Sequence, residues 1–396
     1  MTTLDLEHPD LLAPELYGDL DSMHATFRAM RRQPGLHRDE ANQLWAAVHH
    51  ADLIEIERRP SVLVSGQGYR SLPSPGELDM IALDDPEHAE QRSLVARRFT
   101  PKAVTGLEPF VSGLIDELID GFLDHGELEV VGQLAAPLPA RLTAHLLGFS
   151  EDLWPQIKTW SERLMRYDSA FRDPDVMGGF AGAITEFSQA LLPIIQDRRA
   201  QPADDLVSVW SHAQLGGCPM DEGRIVQETG LVISGGAETT RTVIGRGLAE
   251  LCAHPDDWEA MAADPDLVPG AVEELVRWVT PLNNFFRTAV ADAVVGGTEI
   301  AAGDRIMLLY PSANRDEAVF EQPDVLDIHR SPNPHVAFGL GPHFCLGASL
   351  ARLELRILFE RLTAQITNLR LIEPPDIEPN IFVGAVRSCR VGFNRR

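Results

Sequence analysis

Positive charge is scarce in this sequence. Its 396 residues carry 34 Lys and Arg against 59 Asp and Glu, a formal net charge of −25 with a pI near 4.8. Nucleic acids and anionic membranes need a positive face, so this balance argues against both while leaving room for a local basic patch. Long apolar runs are missing as well. No stretch approaches about 18 uninterrupted apolar residues, so no membrane span is predicted. The opening MTTLDLEHPDLLAPELYGDL is acidic and has no apolar core flanked by basic residues, which predicts no secretion signal and a cytoplasmic location. Cysteine is rare. Cys218, Cys252, Cys345 and Cys389 are scattered, without a C-x-x-C pair. Such usage suits a reducing compartment and gives no zinc framework, and a chain this long builds a core without disulfides.

The remainder reads as ordinary globular protein, 44% hydrophobic and 23% charged. Apolar residues at three- and four-residue spacing predict helices over 21–32, 110–125, 222–253, 268–278 and 348–366. Strand patterns are short: 44–48, and 294–308 with its Gly296-Gly297 turn. Segments 65–77, 168–179 and 215–220 read as loops from their Gly, Pro, Ser and Asp content. Nothing repeats at a fixed period and no biased linker divides the chain. The expected architecture is a single domain over 1–396, mainly α with small β-sheets.

One cysteine stands in unusual company. FGLGPHFCLG, residues 338–347, surrounds Cys345 with glycines, and the strongly helical LGASLARLELRILFERL follows it. That places the sulfur at a helix N-terminus, where free N–H groups and the helix dipole favour an anionic thiolate. Gly339, Gly341 and Gly347 let backbone approach the sulfur and a flat partner, and Phe338 is placed to exclude water. This is a setting for an anionic axial ligand against a planar cofactor. The plain alternative is a buried small hydrophobe, the usual fate of free cysteine and the reading for the other three.

The spacing F-x-x-G-x-x-x-C-x-G, with His343 two residues before the cysteine, resembles the haem-thiolate signature of the cytochromes P450, here Phe338, Gly341, Cys345 and Gly347. Other segments follow in that family's order. ISGGAETTR resembles its long central helix, with the A/G-G-x-D/E-T pattern on Gly235, Gly236, Ala237, Glu238 and Thr239. An acid beside a hydroxyl can relay protons; the alternative is packing glycines and a solvated Glu-Thr step. Glu274-x-x-Arg277 resembles the family's structural ion pair, tied to NRDEAVFEQPDVLDIHR, although Glu55-x-x-Arg58 has the same spacing. In DDPEHAEQR, His88 and Arg92 share a helical face. With Arg287 and His343 they resemble the propionate-binding set, chemistry that suits charge-assisted hydrogen bonds; the alternative for each is a surface cation. Two departures stand out: Gly235 where alanine is commoner, and Pro342, which removes an N–H from the cysteine loop.

The resemblance covers the chain from about residue 20 onward. It implies a cytochrome P450 fold with haem b, iron-ligated by Cys345, between the central helix and the helix after the cysteine loop. It implies monooxygenation of a lipophilic substrate with O2, and Glu238 and Thr239 as the proton-handling pair. No flavin or nicotinamide fingerprint is present, so electrons from NAD(P)H are expected through a separate ferredoxin and ferredoxin reductase. Arg97, Arg98, Arg352 and Arg356 are the expected docking cations. Candidate substrate contacts are Ile233, Ser234, Gly235, Leu282, Asn284, Phe285, Phe382 and Val383. SGGAETTR, NNFFRTA, RSPNPHVAFG and NIFVGAVRSCRVGF are most similar to actinobacterial members that hydroxylate a terminal methyl of cholesterol or cholest-4-en-3-one. Terpenoids, fatty acids and secondary-metabolite scaffolds are the alternative substrates. A haem-binding sensor or carrier without turnover is the alternative of another class.

Overall fold

The computed structural model describes residues 9–170 and 173–396. Its principal helices are, in chain order, α1 Leu20–Met30, α2 His50–Glu57, α3 Glu87–Ala96, α4 Glu108–Asp120, α5 Pro137–Leu147, α6 Trp154–Leu164, α7 Pro174–Ala200, α8 Glu222–Leu251, α9 Pro255–Ala263, α10 Val268–Val279 and α11 Ala348–Gln365. The strands are β1 His37–Asp39, β2 Leu44–Ala47, β3 Leu63–Val64, β4 Glu127–Glu129, β5 Asn284–Ala289, β6 Arg305–Leu309, β7 Ile366–Ile377 and β8 Val386–Arg395. They form a five-stranded sheet, ordered β1-β2-β6-β5-β3, and a three-stranded sheet, β7-β8-β4. Two short hairpins, at 214–219 and 293–300, complete the strands described.

Helix α8 organises the molecule. At 1.5 Å per residue its 30 residues span about 45 Å. Asp221 caps it by accepting from the Arg224 N–H at 3.0 Å. Its N-terminal half packs Ile225, Ile233 and Ala237 into an apolar core with Ile157 and Trp160 of α6 and Phe187 and Leu191 of α7. Its C-terminal half packs Ile244 and Leu248 into a second core with Val111 and Ile115 of α4, Leu275 of α10 and Leu358 of α11. The Gly-Gly step lies where these two cores meet.

The predicted helices are all present, with ends shifted by a few residues. Two loop expectations are corrected. Segment 168–179 is helical at Tyr167–Ala170 and again from Pro174. Asp173 accepts from the Asp175 N–H at 2.9 Å and Pro174 occupies the first turn, so what reads as loop punctuation is a helix start. Residues 171–172 lie outside the described set. Segment 215–220 closes a hairpin, Leu215 pairing with Cys218 across Gly216 and Gly217, both at positive φ as a two-residue turn demands.

The Glu274–Arg277 pair is fully buried in α10. Arg277 Nε and Nη2 donate to the two Glu274 oxygens at 2.7 Å, and Nη1 donates to the carbonyls of Asn314 at 2.8 Å and Pro323 at 3.0 Å. Arg330 Nε and the Asp327 N–H also donate to Glu274. The pair therefore pins segment 314–330, as the sequence predicts.

Candidate active site

Backbone geometry shapes the cysteine loop first. The Cys345 N–H donates to the Phe338 carbonyl at 2.8 Å, and the Phe344 N–H to Gly341 at 3.1 Å. Gly339 and Gly341 adopt φ of 68° and 70°, where side chains are strained. At Gly341 a Cβ would lie 2.5 Å from the Glu57 carbonyl oxygen, so only glycine lets the loop rest against the end of α2. Burial raises the Cys345 thiol; the N–H groups of Gly347 and Ala348 and the cations Arg92 and Arg352 pull the other way. These opposing donors are what a thiolate needs at the head of α11. Phe338 is covered in turn by the Arg352 guanidinium, 4.5 Å from its ring centre. Arg352 donates to both oxygens of Glu273, at 2.6 and 2.8 Å, and His335 Nε2 sits 3.1 Å from the same carboxylate. Burial opposes ionisation of Glu273, but the Arg352 and His335 hydrogen bonds hold its carboxyl at about 2.

Four nitrogen bases converge beside this loop. The His88 and His343 rings lie 4.2 Å apart. His88 Nδ1 faces Asp85 at 3.1 Å, while its buried Nε2 has no partner among the described residues. His343 Nε2 is 3.2 Å from Ser65 Oγ, and Arg92 Nη2 donates to the Phe344 carbonyl at 2.5 Å. Burial, then the charges of Arg287, His88 and Arg92, push His343 down to about 2. Arg287 arrives from β5, whose alternation puts Phe285 and Arg287 on one face and Phe286 on the other. Its Nη2 lies 3.3 Å from Glu57 Oε1.

Glu57 is a site residue that sequence reasoning missed. Its side chain is buried, accepts from Tyr310 Oη at 2.6 Å, pairs with Arg287, and accepts from the Leu340 N–H of the cysteine loop. One carboxylate thus joins α2, β5 and the loop. The signal was slight: one of three acids in HADLIEIERR, whose partners lie more than 200 residues away.

Helix α8 carries small residues at its Gly-Gly step. Gly235 and Gly236 are exposed and Thr239 is half-buried, while Ile233, Ser234, Ala237 and Glu238 are buried. The two glycines differ. A Cβ on Gly236 would meet Thr143 Oγ1 of α5 at 2.7 Å, so this one is a packing glycine. A Cβ on Gly235 would meet nothing within 4 Å, so this one leaves open room. Glu238 is not a solvated residue. Burial pushes its carboxyl up to about 7, opposed by Arg241, whose Nη1 is 3.0 Å from Oε2. Arg241 also contacts Glu162 at 2.5 Å and the Val386 carbonyl at 2.8 Å, and Lys158 pairs with Glu162 at 3.0 Å. Thr239 Oγ1 donates to the Gly235 carbonyl at 2.8 Å.

The predicted substrate residues divide. Leu282, Phe285, Phe382 and Val383 gather with Met165 in one small apolar cluster, with the Phe285 and Phe382 rings edge to face at 5.4 Å. Asn284 does not join them: it lies on the other face of β5, fully buried, donating to the Ile381 carbonyl at 2.7 Å with its Oδ1 unpartnered. Ile233 belongs to the α6–α7 core, and the Ser234 carbonyl accepts from Ser161 Oγ at 3.5 Å. Of the α8 candidates, Gly235 faces open space.

These residues suit a flat dicarboxylate cofactor. The orphaned His88 Nε2 and the gathering of His88, Arg92, Arg287 and His343 call for an anion, and α8 leaves open room beside Gly235.

Comparison with known proteins agrees. The Cytochrome P450 family profile matches residues 259–381. The chain is 40% identical to a steroid C26-monooxygenase of Mycolicibacterium smegmatis, over 97% of this chain and 96% of that protein. It is 38% identical to a steroid C26-monooxygenase of Mycobacterium tuberculosis, again over 97% and 96%. Among solved structures, a Mycobacterium marinum cytochrome P450 in complex with pseudoionone superposes with a TM-score of 0.90 at 30% identity, covering 96% of this chain and 97% of that one. With a cysteine loop, a basic cluster and a glycine-opened helix in place, the chain belongs to the cytochrome P450 family and is a haem-thiolate monooxygenase.

Proposed function

We propose that this enzyme hydroxylates the side chain of a sterol, with cholest-4-en-3-one or cholesterol as substrate. The observation that carries the substrate class is the similarity to two steroid C26-monooxygenases along nearly the whole chain. The apolar cluster of Met165, Leu282, Phe285, Phe382 and Val383 supports it, because a lipophilic ligand is held mainly by burial.

In this reading the Cys345 thiolate would ligate the haem iron, and His88, Arg92, Arg287 and His343 would hold the propionates. Phe338 and Gly347 shape the sulfur's surroundings. Haem ligated by thiolate supplies activation of O2, one atom entering a C–H bond and the other leaving as water. The chain's own part is to exclude water and manage protons. Glu238 holds a proton near neutral pH, and Arg241 fixes the carboxyl's position. Thr239 places a hydroxyl next to it, its proton given to the Gly235 carbonyl in the present state. Glu162 and Lys158 connect Arg241 to the exterior. The whole chain acts as one domain, electrons arriving from a separate ferredoxin with its NAD(P)H-dependent reductase.

Titration of the ferric protein with cholest-4-en-3-one tests the substrate class. The expected result is a saturable shift of the Soret band to shorter wavelength, as a bound substrate would exclude water from the haem. A haem spectrum without a shift overturns the sterol reading and turns attention to terpenoids and fatty acids. A shift without product, given ferredoxin, reductase and NADPH, favours the sensor or carrier reading.

A further inference from the structure

Glu228 is a buried acid that the chemistry above does not use. It lies on α8, about two turns before Gly235, and is fully buried. Its Oε1 accepts from the Met80 N–H at 2.7 Å and from Gln91 Nε2 of α3. Its Oε2 is buried with no donor among the described residues. A charged oxygen left without a donor is costly, so this geometry suits the neutral acid.

These contacts close one end of a strap. Gln227 Oε1 accepts from the Leu78 N–H at 2.6 Å, and Gln91 Nε2 donates to the Leu78 carbonyl at 2.7 Å. Met80 joins the core that holds Ile225, Ile233 and Ala237 of α8. The other end is fixed separately. Arg305 donates to the carbonyls of Gly68, Arg70 and Ser71, and the Ser71 N–H donates to Asp168 at 2.9 Å. That end borders the apolar cluster, with the Tyr69 ring 6.0 Å from Phe285 and the Arg70 guanidinium 4.2 Å from the Phe382 ring centre. Between the two ends Pro73, Pro75 and Gly76 are exposed, and a Cβ on Gly76 would meet nothing within 4 Å. The strap is thus rigid beside the cluster, unpacked at Gly76, and held on α8 through Gln227 and Glu228.

We infer that Glu228 is a latch: while its carboxyl keeps its proton the 78–80 end of the strap stays on α8, and ionisation releases that end and widens entry to the room beside Gly235. This does not depend on the sterol reading. Two charged groups act on Glu228: Asp79 of the strap, itself under Glu77 and Arg70, and Arg224 of α8, whose Nη1 holds Gln91 Oε1 at 2.8 Å. Burial raises Glu228 from 4.5 to about 8, Asp79 adding to it while Gln91, the Met80 N–H and Arg224 oppose. Burial and Glu77 raise Asp79 from 3.8 to about 7. Release gives both acids to water, where they ionise at ordinary values. The latched state therefore binds more protons. Through Glu228 it weakens by up to about tenfold per pH unit between about 5 and 8 and levels off above, with Asp79 steepening the fall below about 7.

The test is stopped-flow binding of metyrapone, a haem ligand uncharged in this range, to the haem-loaded protein from pH 6 to 9. Cleavage after Glu77 by a glutamate-specific protease, compared between parent and variant at each pH, reads the strap without the haem. The expected result is that entry and cleavage in the parent rise at least tenfold from pH 6 to 8 and then level off. Glu228→Gln keeps the acceptor without the charge, so both should stay at the parent's pH 6 values throughout. Asp79→Asn leaves the Glu228 contacts in place and should make the rise shallower below pH 7. A parent whose rates do not change with pH overturns the latch. A rise that survives in Glu228→Gln overturns it too, and assigns the titration to another group such as Glu238. If Glu228→Gln does not load haem, Asp79→Asn decides: rates equal to the parent's at every pH overturn the pairing of the two acids on which release depends.

Discussion

Glu238 lies inside a helix, between two apolar cores, where its carboxyl has little access to water. Burial raises it to about 7, against the pull of Arg241. The sign of the consequence is fixed: a carboxyl raised from its ordinary 4.5 keeps its proton through pH 5 and 6 and loses it as pH rises past about 7. If it is the proton source proposed above, product formation should fall on the alkaline side of about 7. Glu238→Gln should lower product formation by about 100-fold, remove that alkaline limb, and leave the substrate-induced spectral shift intact. Product per NADPH consumed, followed from pH 6 to 9, is the measurement. A variant that keeps the alkaline limb would assign the titration to another group. The Glu-Thr dipeptide was legible in sequence, and Arg241, three residues on in the predicted helix, could have been paired with it; the burial of Glu238 was not legible, because it depends on which distant segments cover that face of α8.

The cysteine loop and the end of α2 are joined through Glu57, and the energetics belong to the two elements together. The carboxylate accepts from Tyr310 Oη at 2.6 Å and from the Leu340 N–H, and it faces Arg287 at 3.3 Å. Truncation leaves a buried guanidinium, a hydroxyl and an amide without their acceptor. Glu57→Ala should cost about 3 kcal/mol of stability, as breaking a buried charged pair from one side does. It should also speed haem loss to apomyoglobin, since the loop that carries Cys345 loses its anchor on α2. Glu57→Gln keeps an acceptor and should fall between. Urea denaturation and haem-transfer kinetics check this; unchanged values in Glu57→Ala would leave the loop anchored by Gly341 packing alone. At this scale the sequence is informative where chemistry is local. The long amphipathic helices, the head of α11 and the spacing of His88 and Arg92 were readable, because each is set by neighbours within a few residues. What was not readable comes from long-range pairing. Glu57 meets Leu340, Glu273 meets Arg352 and Arg70 stacks on Phe382 only after the chain closes on itself. Likewise β7 and β8 pair through several register shifts that break a simple alternation, so neither announces itself as a strand.

For the whole molecule, a net charge of −25 bears on the proposed electron delivery, because a ferredoxin, if acidic, would be repelled at long range. No helix of the described residues is long and apolar enough to cross a membrane. A local cationic face would offset that repulsion, and the structure ranks the expected cations. Arg352 is committed to Glu273, and Arg356 to Glu360 at 3.0 Å and Glu108 at 3.3 Å. Arg98 pairs with Asp204 at 2.6 Å, but Asp204 is 96% exposed, and an exposed pair contributes little and exchanges readily. Arg97 is exposed and makes no ion pair among the described residues. Both lie in the Arg97–Phe99 turn after α3, which packs on α11, the helix headed by the cysteine loop. The available charge therefore sits on the sulfur side, and Arg97 and Arg98 are the better docking cations. The double variant Arg97→Glu/Arg98→Glu should slow reduction by an acidic ferredoxin about tenfold at low ionic strength, within the range of electrostatic steering. The deficit should shrink as salt shortens the screening length to about 10 Å at 0.1 M and less beyond. Arg352→Glu should do something different: by breaking the Glu273 contact it disturbs the cover over Phe338, and its effect should persist at high salt. Stopped-flow reduction across a salt series separates the two. Superimposable rates for parent and double variant at every salt concentration would move the docking face elsewhere.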